Sequence, residues 1–156
     1  MKIRIPKSII LLSIVSFFSS IFLLSKYQGG DQFYYNFLYS SLKDINLLKL
    51  LLGKAFEISR IEPLSGLILW LGSNLGIDKN LYISILNVVL VCSLYTFLKR
   101  NFVSWPFIFL LLTNYYFVVL LTAAERLKIS YLCIFLALIV ISKKKSAFLF
   151  LITPLA

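Results

Sequence analysis

Long apolar runs that end in charged residues dominate this sequence. Four of them are long enough to form membrane helices: 8–25, 81–98, 102–122 and 127–142. At 1.5 Å per residue, a helix over Ser8–Ser25 is about 27 Å long, close to the roughly 30 Å hydrocarbon core of a bilayer. The runs therefore predict an all-α, polytopic membrane fold that forms one domain over residues 1–156.

Composition supports this class and excludes several others. Of the 156 residues, 60% are hydrophobic and 14% are charged, whereas a soluble domain carries about 25% charged residues. There is no histidine, which excludes imidazole bases and histidine-ligated metals within these residues. Cys92 and Cys133 lie in separate apolar runs, so no metal site or disulfide framework is predicted, and no phosphate-binding glycine loop or other cofactor motif occurs.

The first run follows Lys2, Arg4 and Lys7, so it could be a signal peptide or a first membrane helix. Its apolar part is longer than a usual signal core, and no small-residue cleavage site follows it. We therefore expect an uncleaved anchor.

The charges indicate the topology, because lysine and arginine in short loops favour the cytoplasmic side. The glycine-interrupted run Pro63–Ile77 is short for a span, and a crossing there would leave Lys143–Lys145 outside. If it does not cross, the N-terminus is cytoplasmic and half of the 16 basic residues lie inside: Lys2, Arg4, Lys7, Lys99, Arg100, Lys143, Lys144 and Lys145. The inner side then carries +8, and the outer side, with all six acidic residues, carries +2. We interpret the net charge of +10 as a topology signal rather than as a nucleic-acid surface.

The outer segment 26–80 contains two amphipathic patterns. In 31–43, apolar Phe33, Phe37 and Leu38 recur opposite polar Gln32 and Asn36. In 44–60 a polar stripe opposes leucines, with Leu50 as the exception on the polar face. Two interfacial helices, each with an aspartate at its N-cap, are expected on the outer leaflet.

The last apolar stretch, 146–156, is too short to cross the membrane. It either folds back as an interfacial helix or is an incomplete fifth span of a longer protein, and we expect truncation.

Few ionisable residues are available for chemistry. Asp31 follows Gly29 and Gly30 and either caps a helix or takes a proton from a sugar hydroxyl at the membrane surface. Arg60 and Glu62 precede Pro63 and either start a helix or hold a phosphate and a sugar hydroxyl.

The segment Glu125–Lys128 lies between two predicted spans, and its cations oppose the positive-inside trend. A guanidinium such as that of Arg126 suits phosphate oxygens. Tyr34 and Tyr35 fit an aromatic belt at the interface, with sugar stacking as the alternative interpretation.

Four segments together resemble the front part of EpsG-like and Wzy-type polysaccharide polymerases, whose layout is similar to that of GT-C membrane glycosyltransferases. They are Gly30–Tyr35, Glu62–Leu67, the end of a span at Leu98–Arg100, and Glu125–Lys128. The resemblance implies transfer of a glycan from a polyprenyl-diphosphate carrier to an acceptor glycan on the outer side of the plasma (inner) membrane.

The resemblance also implies roles for single residues. Asp31 would be the catalytic acid or base and Glu62 would assist it, while Arg60, Arg126 and Lys128 would hold the diphosphate. Glu125, Tyr34 and Tyr35 complete the predicted substrate site. The family continues for several more spans, so activity of these 156 residues alone is a separate question.

Two alternatives accompany this hypothesis. A non-catalytic membrane subunit of a polysaccharide or lipid-carrier export system would place polar residues against a cavity in the middle of the spans. Candidates for that lining are Asn87, Ser93, Thr96, Thr113 and Asn114. An inactive gene remnant would give no stable protein.

Overall fold

The computed structural model describes residues 6–27, 29, 31–43, 45–51 and 63–141. This part of the chain forms α-helices and contains no strand, so the predicted all-helical class is confirmed there. The helices are α1 (Lys7–Lys26), α2 (Asp31–Leu42), α3 (Leu47–Leu51), α4 (Pro63–Asn74), α5 (Lys79–Arg100), α6 (Trp105–Leu112), α7 (Tyr115–Thr122) and α8 (Glu125–Ile141).

Within the described ranges, two helices, α1 and α5, are long and apolar enough to cross a membrane. Helices α6 and α7 together make a third candidate if the bent pair forms one span. Helix α8 covers the fourth predicted run with 17 residues, and its crossing stays a prediction. Helix α4 has 12 residues, about 18 Å of helix, which is short of the hydrocarbon thickness.

The predicted run 102–122 is not one straight helix. It divides into α6 and α7, which are bent by 54° relative to each other. Asn114 causes the break, because its backbone is extended and its side chain accepts a hydrogen bond from the Tyr116 N–H, as an N-cap does. Thr113 ends α6 and donates its hydroxyl to Phe109 O (2.9 Å).

Helix α5 packs between α1 and α8, and it runs antiparallel to α1 and parallel to α8. The Ser8 and Tyr95 hydroxyls are 2.9 Å apart, which joins the start of α1 to the last turns of α5. Arg100, the last residue of α5, donates to Ile139 O near the end of α8. Lys26, Lys79 and Glu125 consequently lie at one end of this bundle, here called the α2 end, while Lys7 and Arg100 lie at the other.

Helix α2 packs across the end of the bundle that contains Lys26, Lys79 and Glu125, and hydrogen bonds to α4 hold it there. Ser73 of α4 donates to Tyr39 O (2.6 Å), and the Tyr39 hydroxyl donates to Ile77 O (3.0 Å). Trp70 of α4 donates to Ile45 O (2.7 Å), which fixes the chain between α2 and α3. The core beneath these contacts consists of Leu24, Tyr35, Leu38, Tyr39, Leu42, Leu50, Leu69 and Ile83.

The amphipathic patterns do not specify which side chains pack inside the protein, and their placement on the outer leaflet stays a prediction. Gln32, predicted on the polar face of α2, is buried at 2% exposure, whereas Phe33 and Phe37 are exposed. Leu50, predicted as an exception on a polar face, is a core residue, and Leu48 of the same short helix is exposed. Tertiary polar contacts of Gln32 determine the orientation of α2, and a hydrophobicity pattern cannot register them.

Several predictions fall on residues outside the described ranges. They concern Arg60 and Glu62, the rest of the second amphipathic pattern in 52–60, and the last apolar stretch 146–156.

Candidate functional site

A chain of buried polar side chains lies at the α2 end, beneath α2. Gln32 of α2 is its centre: the side-chain amide donates to Glu125 Oε1 (2.8 Å) and to Thr122 O. The amide oxygen of Gln32 accepts a hydrogen bond from the Lys79 ammonium. One glutamine therefore connects α2 with the start of α5, the end of α7 and the start of α8.

Glu125 and Lys128 form an ion pair one turn apart on α8. Their Oε2 and Nζ atoms are 2.9 Å apart, and each side chain is 1% exposed. Lys128 also donates to Leu121 O (3.0 Å), and Glu125 accepts from Gln32 as well. Both charged groups have hydrogen-bond partners, as buried charges require.

Lys79 is a second buried cation, and its acceptors are neutral oxygens. Its ammonium donates to the side-chain and backbone oxygens of Gln32 and to Asn36 Oδ1 (2.8 Å). Lys79 is the first residue of α5, just after the N-cap Asp78. Because Asn36 is exposed, this ammonium lies one side chain below the surface.

Arg126 lies beside this buried group, on the exposed side of α8. It hydrogen bonds the Tyr35 side chain, whose pKa is raised by burial, while Arg126 acts in the opposite direction. The Tyr34 and Tyr35 rings meet edge to face at 5.6 Å. Asp31 is exposed in the first turn of α2, one helical turn from Tyr35.

The polar chain continues toward the middle of the bundle. Leu121 O accepts hydrogen bonds from Lys128 (3.0 Å) and from Asn87 Nδ2 (2.9 Å), and Asn87 Nδ2 also donates to Ser20 of α1. Asn87 is fully buried, and its Oδ1 atom has no hydrogen-bond partner within the described structure. Asn87 of α5 thus joins the middle of α5 to α1 and to the last turn of α7.

Two apolar cavities flank the bent pair α6 and α7. One, of about 610 Å³, lies between α5, α7 and α8 and is bounded by Phe97, Phe117, Ala124, Leu127, Tyr131 and Phe135 among others. The other, of about 490 Å³, lies between α1, α6 and α7. Ala124 and Leu127, which flank Glu125 and Arg126 in sequence, line the larger cavity, so this cavity extends to the first turn of α8.

The structure brings together four of the predicted site residues: Glu125, Arg126, Lys128 and Tyr35. Asp31 and Tyr34 lie beside them on the exposed part of α2, and Arg60 and Glu62 lie outside the described residues. Lys128 is committed to Glu125 and to Leu121 O, so its predicted contact with a diphosphate would require that pair to open.

Two residues of the site were missed: Gln32 and Lys79. For Gln32 the sequence contains one signal. Gln32 shares a helix face with Tyr35, Tyr39 and Leu42, and this face is an alternative to the one that we predicted. For Lys79 the signal is a basic residue that directly follows an aspartate at the start of an apolar run, near the end of the outer segment 26–80.

Within the described ranges, no three acidic, cysteine or histidine residues are grouped as metal ligands would be. Comparisons with protein-family models, curated proteins and solved structures gave no match.

Proposed function

We propose that this protein acts as a membrane glycosyltransferase of the polymerase type, which extends a surface polysaccharide from a polyprenyl-diphosphate-linked donor. The observation that supports it best is that α8 carries the exposed Arg126 in its first turn, while Leu127 and Tyr131 of the same helix line the apolar cavity between α5, α7 and α8. A lipid-linked diphosphate needs an apolar groove for its chain and a cation at the interface for its phosphates, and a guanidinium binds phosphate oxygens in pairs.

Asp31 is the carboxylate available to act on the acceptor. Of the other described carboxylates, Asp78 accepts the Leu81 N–H as a helix cap, and Glu125 is buried in its ion pair. Asp31 is exposed one turn from Tyr35, the residue that Arg126 contacts. A carboxylate in this position takes the proton of an attacking sugar hydroxyl while the cation stabilises the leaving diphosphate.

In this proposal the α2 end faces the outside of the plasma (inner) membrane, and the N-terminus is cytoplasmic. The partners are membrane lipid and the polyprenyl-diphosphate-linked glycan, together with components of polysaccharide export. Tyr34 and Tyr35 contact the sugar, and Arg60 and Glu62 contribute from the segment before α4.

The test measures glycan chain length in cells that produce each variant. Asp31→Asn and Arg126→Ala are expected to abolish chain extension, and Arg126→Lys to retain part of it, because lysine keeps the charge but loses the paired geometry. Lys26→Met, which removes an exposed charge at the same end, is the control. Normal chain lengths in both Asp31→Asn and Arg126→Ala, at normal levels of membrane-inserted protein, would contradict the proposal.

A non-catalytic subunit of a polysaccharide or lipid-carrier export system is the second candidate. One observation favours it: Thr113 and Asn114, at the bend between α6 and α7, line the two apolar cavities. If that function is correct, substitution of Asn114 impairs movement of the carrier lipid across the membrane, whereas Asp31→Asn leaves both movement and glycan length unchanged.

A further inference from the structure

The buried group at the α2 end has more positive than negative charge. Lys79 and Lys128 contribute two ammonium groups, and Glu125 contributes the one carboxylate buried with them. Since Glu125 contacts Lys128, Lys79 is the cation whose direct partners are all neutral oxygens within the described structure. Desolvation of an ammonium is costly, and amide oxygens offset it less than an anion does.

The surroundings of Lys79 show how an anion could reach it. Asn36, one of its acceptors, is exposed on α2, so the ammonium is separated from the surface by one amide. Asp78, the nearest carboxylate in sequence, already accepts the Leu81 N–H and is exposed. Arg126 contacts Tyr35, and Tyr35 and Asn36 are neighbours on α2. Adjacent residues of α2 thus contact both cations, the buried Lys79 through Asn36 and the exposed Arg126 through Tyr35.

We propose that Lys79 is a second phosphate-binding cation at the same end of the bundle as Arg126, and that the Asn36 side-chain oxygen binds the Lys79 ammonium until the anion arrives. In the unliganded protein the Asn36 side-chain oxygen accepts the Lys79 hydrogen bond that a phosphate oxygen accepts in the complex. When the anion enters beside Asn36, the ammonium exchanges that amide for a charged oxygen, and Gln32 continues to hold Lys79 in place. This inference rests on the proposed function in one respect: it takes the anion to be the diphosphate of the lipid-linked donor.

The experiment measures binding of farnesyl diphosphate to the purified full chain in detergent by isothermal titration calorimetry. Lys79→Met is expected to weaken binding by about ten- to hundredfold, the loss of one charge-assisted hydrogen bond, and Lys79→Arg to weaken it much less. Lys43→Met, an exposed lysine just after α2, is the matched control and should bind within about twofold of the wild type. Equal affinities of Lys79→Met and Lys43→Met would overturn the proposal.

A second variant does not depend on removing a buried charge. Asn36→Ala removes the competing acceptor and is expected to tighten binding about two- to fivefold, whereas Ser40→Ala, an exposed polar residue on the same helix, leaves it unchanged. Unchanged or weaker binding by Asn36→Ala would show that Asn36 does not compete, and would overturn the exchange step.

Two further ligands identify what Lys79 recognises. Inorganic diphosphate should show the same dependence on Lys79 at lower affinity, and farnesol, which lacks the phosphates, should show none. Farnesol binding that depends on Lys79 would contradict recognition of phosphate.

Failure of this inference and failure of the proposed function give different results. A normal rate of glycan extension in Lys79→Met would overturn the inference but not the glycosyltransferase function. Diphosphate binding that depends on Lys79, in a protein that supports no glycan extension in its native membrane, would support the inference and overturn the glycosyltransferase function.

Discussion

Glu125 and Lys128 form the most deeply buried ion pair in the described structure, at the junction of three helices. Such a pair adds little net stability compared with an apolar replacement, because desolvation of both ions offsets their attraction. Breaking it is costly, since one charge remains buried without its partner. This asymmetry makes the pair a determinant of how α7 and α8 meet, rather than a large source of stability.

Glu125→Gln should therefore destabilise the protein by about 3 kcal/mol, because it leaves the Lys128 ammonium buried without a carboxylate. The double variant Glu125→Gln/Lys128→Met should recover much of that loss. Thermal unfolding in detergent, followed by circular dichroism, compares the two. A double variant less stable than the single one would show that the pair itself is not what stabilises this junction.

Tyr39 gives a prediction about pH. Burial, together with the charges of Tyr82 and Asp78, raises the pKa of Tyr39 from 10.0 to about 12. The folded state favours the neutral phenol, so this contribution to stability is complete below pH 10 and is lost as the pH rises through about 12.

The Tyr39→Phe variant should accordingly lose less stability than the wild type between pH 10 and about 12. Unfolding temperatures measured across this range test the prediction, with Tyr27→Phe, an exposed tyrosine after α1, as the control. The same alkaline loss in wild type and Tyr39→Phe would assign the effect to other groups.

At the scale of single helices, the position of α2 could be predicted and its rotation could not. The pattern over 31–43 correctly gave a helix at Asp31–Leu42. Its buried face depends on Gln32, which gains three polar partners from other helices, and those partners are distant in sequence. Two neighbouring faces of α2 both carry apolar residues at helical spacing. The hydrogen bonds of Gln32 to other helices therefore determine which face is buried.

The interface of α4 with α2 and α5 depends on the absence of a side chain at Gly72. A Cβ at this position would lie 2.5 Å from Tyr82 Cδ1 and 2.6 Å from the Tyr39 hydroxyl oxygen. Both tyrosines are fixed by hydrogen bonds, Tyr82 to Ile68 O and Tyr39 to Ile77 O. There is consequently little room for either ring to move.

Gly72→Ala should destabilise the protein by about 1 to 3 kcal/mol, the usual cost of overpacking. The matched control is Gly29→Ala, because nothing lies within 4 Å of a Cβ built there. Chemical denaturation in detergent measures both variants. A Gly72→Ala protein as stable as Gly29→Ala would show that α4 can shift away from the two tyrosines.

At the scale of the whole molecule, α1 packs antiparallel to α5, which runs parallel to α8, and this bundle separates two ends. The α2 end carries Lys26, Asp31, Lys79, Glu125 and Arg126, and Lys7, Lys99 and Arg100 lie at the opposite end. This separation matches the two sides assigned from the sequence, where all described acidic residues fell on one side. The orientation of the bundle in the membrane stays a prediction from the positive-inside rule.

Cysteine labelling tests that orientation. In a protein with Cys92 and Cys133 replaced by alanine, Lys43→Cys should react with a membrane-impermeant maleimide added to intact cells, and Lys7→Cys should react only after permeabilisation. Both positions are exposed, so burial does not explain a difference. The reverse pattern would invert the topology, and labelling of both from outside would rule out a crossing by α1.

The sequence by itself determined the helical class and the two long apolar helices, and from it we predict the side of the membrane on which the acidic residues collect. These properties follow from composition and local periodicity, because an apolar run of sufficient length forms a helix whatever it packs against. It also placed Glu125, Arg126 and Lys128 as candidates, since charges at the end of an apolar run are visible in one dimension.

Only the tertiary structure decided what those charges do. It buried Lys128 against Glu125, left Arg126 beside Tyr35, and brought Gln32 and Lys79 together across 47 positions of the chain. It also bent the run 102–122 at Asn114, next to two cavities. The physical reason is that the stability of a buried polar group depends on the partners that folding supplies, and these come from other helices.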